Sequence, residues 1–466
     1  MEGLLEIASS SSAPARIAYR PRVTDLPRGA DLIVGLAGLP AGRRPVLLDS
    51  AAGAPRRFSL LAFDPLLTLP PDARDLHAVQ RALSTIEPPA GDLPGPFHGG
   101  FLGVLAYDLG CAGERPVAAR PEPWGFPLAL GGIYTDFALR DEKSGEGWLV
   151  LDEGASDGRP PLEHRRAELL EMLCAKSAPG SVGVGPLQRH VPPAEHCRRI
   201  EIVRERIARG DVYQVNLAHR FSAQTDGPPH VLYRRLRAVN PAPYMAYLAW
   251  EGGALLSASP ELLLEFDGSE ARTRPIKGTR RRGGDPASDR ELARGLLASE
   301  KDLAELTMIV DLERNDLGRI ALPGGVRVEG LPTLQSYASV HHLMADVVAR
   351  PRPGIGAVEL LAALFPGGSV TGAPKLAAME LIAALEGEGR GYYCGALGFV
   401  DTRGRAELNL LIRTLLWRPR PDLGARGGEV SFQVGGGITW SSNALAEERE
   451  TLDKAAGLLA ALDTAP

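Results

Sequence analysis

The apolar residues of this 466-residue chain come in short runs interrupted by glycine, proline and aspartate. Residues 45–49, 58–63, 100–107 and 148–151 are strand-length and bounded by turn residues, which predicts β-structure in the first half. No run reaches 18 apolar residues, so no membrane-spanning helix is expected. Residues 176–193 are rich in Ala, Pro, Gly and Ser without periodicity and read as a linker. The best cut therefore falls near residue 190, between units 1–180 and 190–462. Beyond it, apolar Ile200, Val203 and Ile207 at helical spacing predict a helix over 195–209. Residues 244–250 and 262–266 read as strands. Residues 289–315 read as one or two helices, and 356–364, 372–385 and 444–459 as others. Thr371 is the expected N-cap of the helix at 372, with Pro374 in its first turn.

Composition narrows the class. Hydrophobic residues make up 44% and charged residues 23%, the balance of a globular enzyme. The 52 basic residues face 57 acidic ones, a net charge of −5 that argues against binding a nucleic-acid backbone. Four scattered cysteines, with no C-x-x-C spacing, point to a reducing compartment. Residues 1–16 lack a basic stretch followed by an apolar one, so a cytoplasmic location is expected. Only six of the 52 basic residues are lysines, and lysine chemistry at a site is not interchangeable with that of arginine. Lys277, Lys301, Lys375 and Lys454 all fall in motif-like stretches.

Lys277 stands in Arg274-Pro-Ile-Lys-Gly-Thr279, followed by Arg280 to Arg282. Neighbouring cations lower a lysine pKa and favour the neutral, nucleophilic amine. A solvated basic loop reads equally well from this window. Asp302 and Glu305 are three residues apart, as are Glu447 and Glu450, so each pair shares a helix face. Two such pairs could converge on Mg²⁺, a hard cation that prefers oxygen ligands. Singly, each reads as a solvated face. The glycines of Phe365-Pro-Gly-Gly-Ser-Val-Thr-Gly-Ala-Pro-Lys375 and of Gly435-Gly-Gly437 could present backbone amides to an anion or simply mark a capped helix and a tight turn. Arg413, a lone cation in the strand-like run 410–414, needs an anionic partner if buried. Glu261, His341 and His342 are acid–base candidates, each with an ordinary reading near a strand end.

Together these stretches resemble the chorismate-utilising enzymes, which include anthranilate synthase component I, aminodeoxychorismate synthase component I, and the isochorismate and salicylate synthases. The resemblance rests on Asp211-Val-Tyr-Gln-Val-Asn-Leu217, Asn240-Pro-Ala-Pro-Tyr-Met245, Ser259-Pro-Glu261 and Pro275-Ile-Lys-Gly-Thr279. It continues in Met308-Ile-Val-Asp-Leu-Glu-Arg-Asn-Asp316, Gly372-Ala-Pro-Lys375 and Gly435-Gly-Gly-Ile-Thr439. It implies an α/β (α+β) body of two packed antiparallel β-sheets flanked by helices. Gln214 stands where the water-using branch carries a lysine. Lys277 stands where anthranilate synthase has alanine and the aminodeoxychorismate branch has lysine.

The resemblance thus implies attack of Lys277 on C2 of chorismate, loss of the C4 hydroxyl, and ammonia addition at C4 to give 4-amino-4-deoxychorismate, a 4-aminobenzoate and folate precursor. Glu261 becomes the acid–base group, and His342, not His341, the histidine near the reacting ring. Glu305 and Glu450 would ligate Mg²⁺, with Asp302 and Glu447 behind them. Gly278, Thr279, Thr371, Gly372, Tyr393, Arg413 and Gly435, Gly436 and Gly437 would line the substrate site. A tryptophan pocket is implied at Ser50, Arg57, Phe58, Ser59, Leu60, Pro243, Tyr244 and Met245. No cysteine lies in a nucleophile-elbow context, so ammonia is expected from a separate glutaminase subunit. The alternatives are anthranilate synthase component I and a non-catalytic tryptophan-binding regulatory subunit.

Overall fold

The computed structural model describes residues 16–51, 57–112, 117, 120–154, 158–176, 180–337, 340–424 and 426–463. The N-terminal stretch through residue 15 and residues 177–179 of the expected linker lie outside them. Two sheets carry the fold. The first runs in order through Pro21–Asp25, Gly147–Asp152, Phe137–Asp141, Phe58–Ala62, Val46–Asp49, Tyr244–Trp250, Gly253–Ser259, Thr414–Pro419, Gly428–Ile438, Gln214–Thr225 and Gly372–Ala373. Gln188–Arg189 pairs beside Gln214–Thr225. The second runs through Ile276–Arg281, Val340–Pro351, Ala271–Arg274, Leu262–Phe266, Ala406–Leu410, Ala396–Asp401, Gly100–Leu105, Ala129–Tyr134 and Leu67–Thr68. Ala321–Ser336 pairs with Val340–Pro351 on a branch of it. Every ladder in both sheets is antiparallel.

The segments on either side of residue 190 share both sheets. Met245 pairs with Asp49 in the first, and Ala396 with Leu105 in the second. Burial explains why. The strand Val46–Asp49 is buried on both faces, and its alternating side chains serve two cores. Val46 and Leu48 join Phe101, Val104 and Leu397 in the core that contains strands of both sheets. Leu47 instead joins Leu36, Leu169, Leu236 and Leu458, from helices packed on the first sheet's other face. Each such side chain, taken from water, contributes about 1.5–3 kcal/mol.

Helices start where side chains satisfy their free amides. Ser299 caps Glu300–Gly318 through the amide of Asp302, and Asn443 caps Ala444–Leu462 through that of Ala446. The stretch 289–315, expected as one helix or two, is two, Pro286–Leu297 and Glu300–Gly318. The expectation at 372 needs correction. Gly372–Ala373 forms a short strand against Gln214 and Val215, and the helix begins only at Lys375. Thr371 is therefore not its cap; its hydroxyl donates to the Gly367 carbonyl at 3.0 Å. Arg413 is not within a strand either. It sits between Ala406–Leu410 and Thr414–Pro419 with a left-handed φ of 52°.

Two connections between the sheets lie side by side. Ser259 to Leu262 leaves the first sheet for the second, and Leu410 to Thr414 returns. Leu410 N–H donates to the Glu261 carbonyl at 3.0 Å, and Ala258 N–H to the Arg413 carbonyl at 3.0 Å. Glu261 and Arg413, 152 positions apart in the sequence, are thereby fixed on neighbouring crossovers.

Candidate active site

Glu261 is buried, and its Oε1 accepts a 2.6 Å hydrogen bond from Ser369 Oγ. Burial pushes its pKa up to about 7, with Ser369 and the positive charges of Lys277 and Arg413 opposing the rise. Lys277 Nζ donates to the Ser369 carbonyl at 3.2 Å. One residue, given no role in the sequence reading, thus holds both candidate reactive groups. Burial lowers the Lys277 pKa, as expected, but the expected cations are not responsible. Arg274 is held by Asp346 and Arg280 by Asp302. The cation that acts on Lys277 is Lys454, while Glu305, Glu261 and Glu450 oppose the shift.

Gly278 follows at φ 75°, where the pairing of Ile276–Arg281 with Val340–Pro351 slips between Lys277 and Thr279. A Cβ there would meet Asp302 at 3.0 Å and Leu296 at 2.9 Å, so only glycine permits the bulge beside this helix. Beyond it, Thr279 Oγ1 and His342 Nδ1 are 2.9 Å apart. His342 Nε2 is buried without a hydrogen-bond partner among the described residues. Burial, aided by Arg413, lowers its pKa to about 3, so it is neutral. His341 points the other way along the strand, to Asp289 at 3.0 Å and Ser336 at 2.7 Å. Arg413 is half-buried and makes no ion pair among the described residues, and Glu261 is the charge that raises its pKa against burial. An unpaired guanidinium there suits a carboxylate-bearing ligand.

Gly435, Gly436 and Gly437 lie inside the strand Gly428–Ile438, not in a tight turn, paired with Ala218, Leu217 and Asn216. A Cβ at Gly435 would meet the Leu217 carbonyl at 2.6 Å, and one at Gly437 the Gln214 amide at 2.8 Å. Gln214 is fully buried, and neither end of its amide has a partner among the described residues. Gly372, at φ 150°, sits against the Gln214 carbonyl. Tyr393 is buried with its ring beside the Arg390 guanidinium.

Three of the four acidic candidates gather around lysines. Lys301 Nζ lies 3.8 Å from Glu305 and 3.5 Å from Glu447, and Lys454 Nζ lies 2.9 Å from Glu450. Glu447 also accepts a 2.7 Å bond from Ser442, and it faces Gly436 together with Lys454. Asp302 is turned to Arg280 at 3.1 Å. Among the described residues no three of these carboxylates bring oxygens within 4.8 Å of one another. A position that already holds an ammonium between Glu305 and Glu447 nevertheless suits positive charge, and the donors are all oxygen. The group that does converge within 4.8 Å is His196, His219 and Glu448. Its two imidazoles, and a carboxylate paired to Arg189 at 2.6 Å, make it a poor set for Mg²⁺.

The residues expected around tryptophan fall on or directly beside three adjacent strands, Val46–Asp49, Phe58–Ala62 and Tyr244–Trp250, with Ser50, Arg57 and Pro243 at their ends. Ser50 N–H donates to Ser59 Oγ at 3.0 Å, and Phe58, Leu60 and Met245 lie nearby in the same ladders. Arg57 turns outward to Asp141.

A half-buried lysine and a buried glutamate on one serine, an arginine without an ion pair among the described residues and an acidic rim suit an enzyme site for a small carboxylated substrate. The chain belongs to the chorismate binding enzyme family, whose model matches residues 47–460. It is a chorismate-utilising enzyme. It is 38% identical over 434 residues to anthranilate synthase component 1 of Streptomyces coelicolor, covering 89% of this chain and 83% of that one. It is 36% identical over 425 residues to aminodeoxychorismate synthase component 1 of Salmonella typhimurium, covering 87% and 90%. The solved anthranilate synthase component I of Streptococcus pneumoniae superposes with a TM-score of 0.73 at 30% identity, covering 86% and 92%. No helix among the described residues is long and apolar enough to cross a membrane.

Proposed function

We propose that this chain converts chorismate and ammonia to 4-amino-4-deoxychorismate through a covalent bond to Lys277. Relatives of both amino-transferring kinds match at similar identity, so overall likeness does not choose between them. The observation that carries the choice is the Lys277–Ser369–Glu261 unit, a nucleophile with a lowered pKa beside an acid with a raised one. The neutral amine of Lys277 bonds to C2 as the ring double bond shifts. The C4 hydroxyl leaves as water, taking its proton from Glu261. Ammonia then bonds to C4, the Lys277 nitrogen departs, and the proton shed by the incoming nitrogen restores Glu261. Arg413 and the amides of Gly435 to Gly437 receive substrate carboxylate, and neutral His342 borders the ring.

Glu305 and Glu450, backed by Asp302 and Glu447, would hold Mg²⁺, which supplies positive charge opposite the ring carboxylate. A glutaminase subunit would deliver the ammonia. The test is intact-protein and peptide mass spectrometry after quenching with chorismate in the absence of ammonia. A chorismate-derived adduct on the peptide bearing Lys277, lost in Lys277→Ala, is expected. Its absence from the wild type quenched this way contradicts the covalent route.

A further inference from the structure

Glu313 is a buried carboxyl that this mechanism leaves unused. It lies on the inner side of Glu300–Gly318 with 3% of its surface exposed. Its Oε2 accepts a 3.1 Å hydrogen bond from Thr273 Oγ1, on the strand leading to Lys277. A Cβ on Gly368 would come within 3.5 Å of Glu313 Cγ, so the side chain packs against the residue preceding Ser369. Ser369 is the residue that binds Glu261. The charged groups acting on Glu313 are Glu261 from the sheet crossover, Asp316 from its own helix, and Lys375 from Lys375–Glu386. Lys375 is already engaged by Asp316 at 2.6 Å and by the Leu364 carbonyl at 2.9 Å. Glu313 thus has no ion pair of its own among the described residues, and its strongest charged neighbour is another carboxyl.

We propose that Glu313 is a positioning residue for Glu261, the two buried carboxyls holding their protons as one unit. This rests on the reading of Glu261 as the acid–base group. Two carboxylates in a low-dielectric interior resist ionising together, so loss of a proton from one secures the proton on the other. When Glu261 gives its proton to the departing hydroxyl, Glu313 remains neutral and no second charge forms behind the site. The proton from the incoming nitrogen then returns to Glu261. Burial and the Glu261 charge push Glu313 up to about 8, above Glu261 itself, consistent with this order. Thr273 opposes that rise.

The test is a pH titration of the full chain with its glutamate carboxyls labelled with carbon-13, read by NMR without substrate. Glu261→Gln and Glu313→Gln assign the two resonances. In the wild type the Glu261 signal should titrate in two steps separated by about one pH unit or more. In Glu313→Gln it should collapse to a single step, with the upper one gone. Thr273→Val removes a bond that favours ionised Glu313, and should move the upper step to higher pH. This variant carries the test if Glu313→Gln does not fold. A single Glu261 step that both substitutions leave unmoved overturns the proposal. No chorismate is present, so the identity of the enzyme's product does not affect the outcome.

Discussion

The side chain of Ser369 donates to Glu261 Oε1 at 2.6 Å, across 108 positions of sequence. The same residue's carbonyl accepts from Lys277. A hydrogen bond to an ionised group is worth about 1.5–3 kcal/mol. Ser369→Ala should therefore lower kcat by roughly tenfold or more at neutral pH, without unfolding the protein. The Ser369 bond lowers the Glu261 pKa, so its loss should move the alkaline limb of the kcat profile upward. Unaltered kcat and profile would remove Ser369 from the site.

Stability should peak on the acid side of neutrality. Asp108, Glu261 and Glu313 are buried carboxyls raised to about 6, 7 and 8, desolvation being the main cause. The folded state then binds more protons than the unfolded one, and the stability they contribute is lost as pH rises through these values. His219 and His342 are depressed to about 2 and 3 by burial. There the unfolded state binds more protons below about pH 6.5, and stability falls with pH. Glu313→Gln should match the wild-type Tm at pH 5 and exceed it by a few degrees at pH 8.5. Equal melting across that range would show that Glu313 is ionised when folded.

The acidic rim gives a prediction about metal. Glu305→Ala and Glu450→Ala should remain folded and lose activity by at least about a hundredfold, the scale of several kcal/mol of charge stabilisation. Wild type stripped by EDTA should be inactive and recover with Mg²⁺. Full turnover by either variant in EDTA would rule out these carboxylates as ligands.

Much of the fold was legible because strand length and alternation are local. Tyr244–Trp250 and Leu262–Phe266 were read to the residue. The misread elements are those that tertiary pairing decides. Gly372–Ala373 follows a capping-like threonine, yet Gln214 draws it into a sheet. Arg413 sits among apolar residues, but its left-handed φ turns the chain between sheets. Lys277 and Glu261 stood out through ordered motifs, and the acidic residues through their three-residue spacing on helices. Ser369 and Glu313 did not, because their role depends on proximity to Glu261 that no local spacing encodes. A serine directly after two glycines and a glutamate on the apolar face of a helix were the available signals. The cations expected around Lys277 were misassigned for the same reason: Arg274 and Arg280 are near in sequence but neutralised, whereas Lys454 is distant and close in space.

Product identity tests the central claim most directly. The wild-type chain, given chorismate, Mg²⁺ and an ammonium salt at about pH 9, where free ammonia is abundant, should release a product with the mass of 4-amino-4-deoxychorismate. No pyruvate should accompany it, and Lys277→Ala should make it poorly. Anthranilate and pyruvate as the main products of the wild type, identified by fluorescence and mass, would contradict the account and assign the chain to the anthranilate-forming branch.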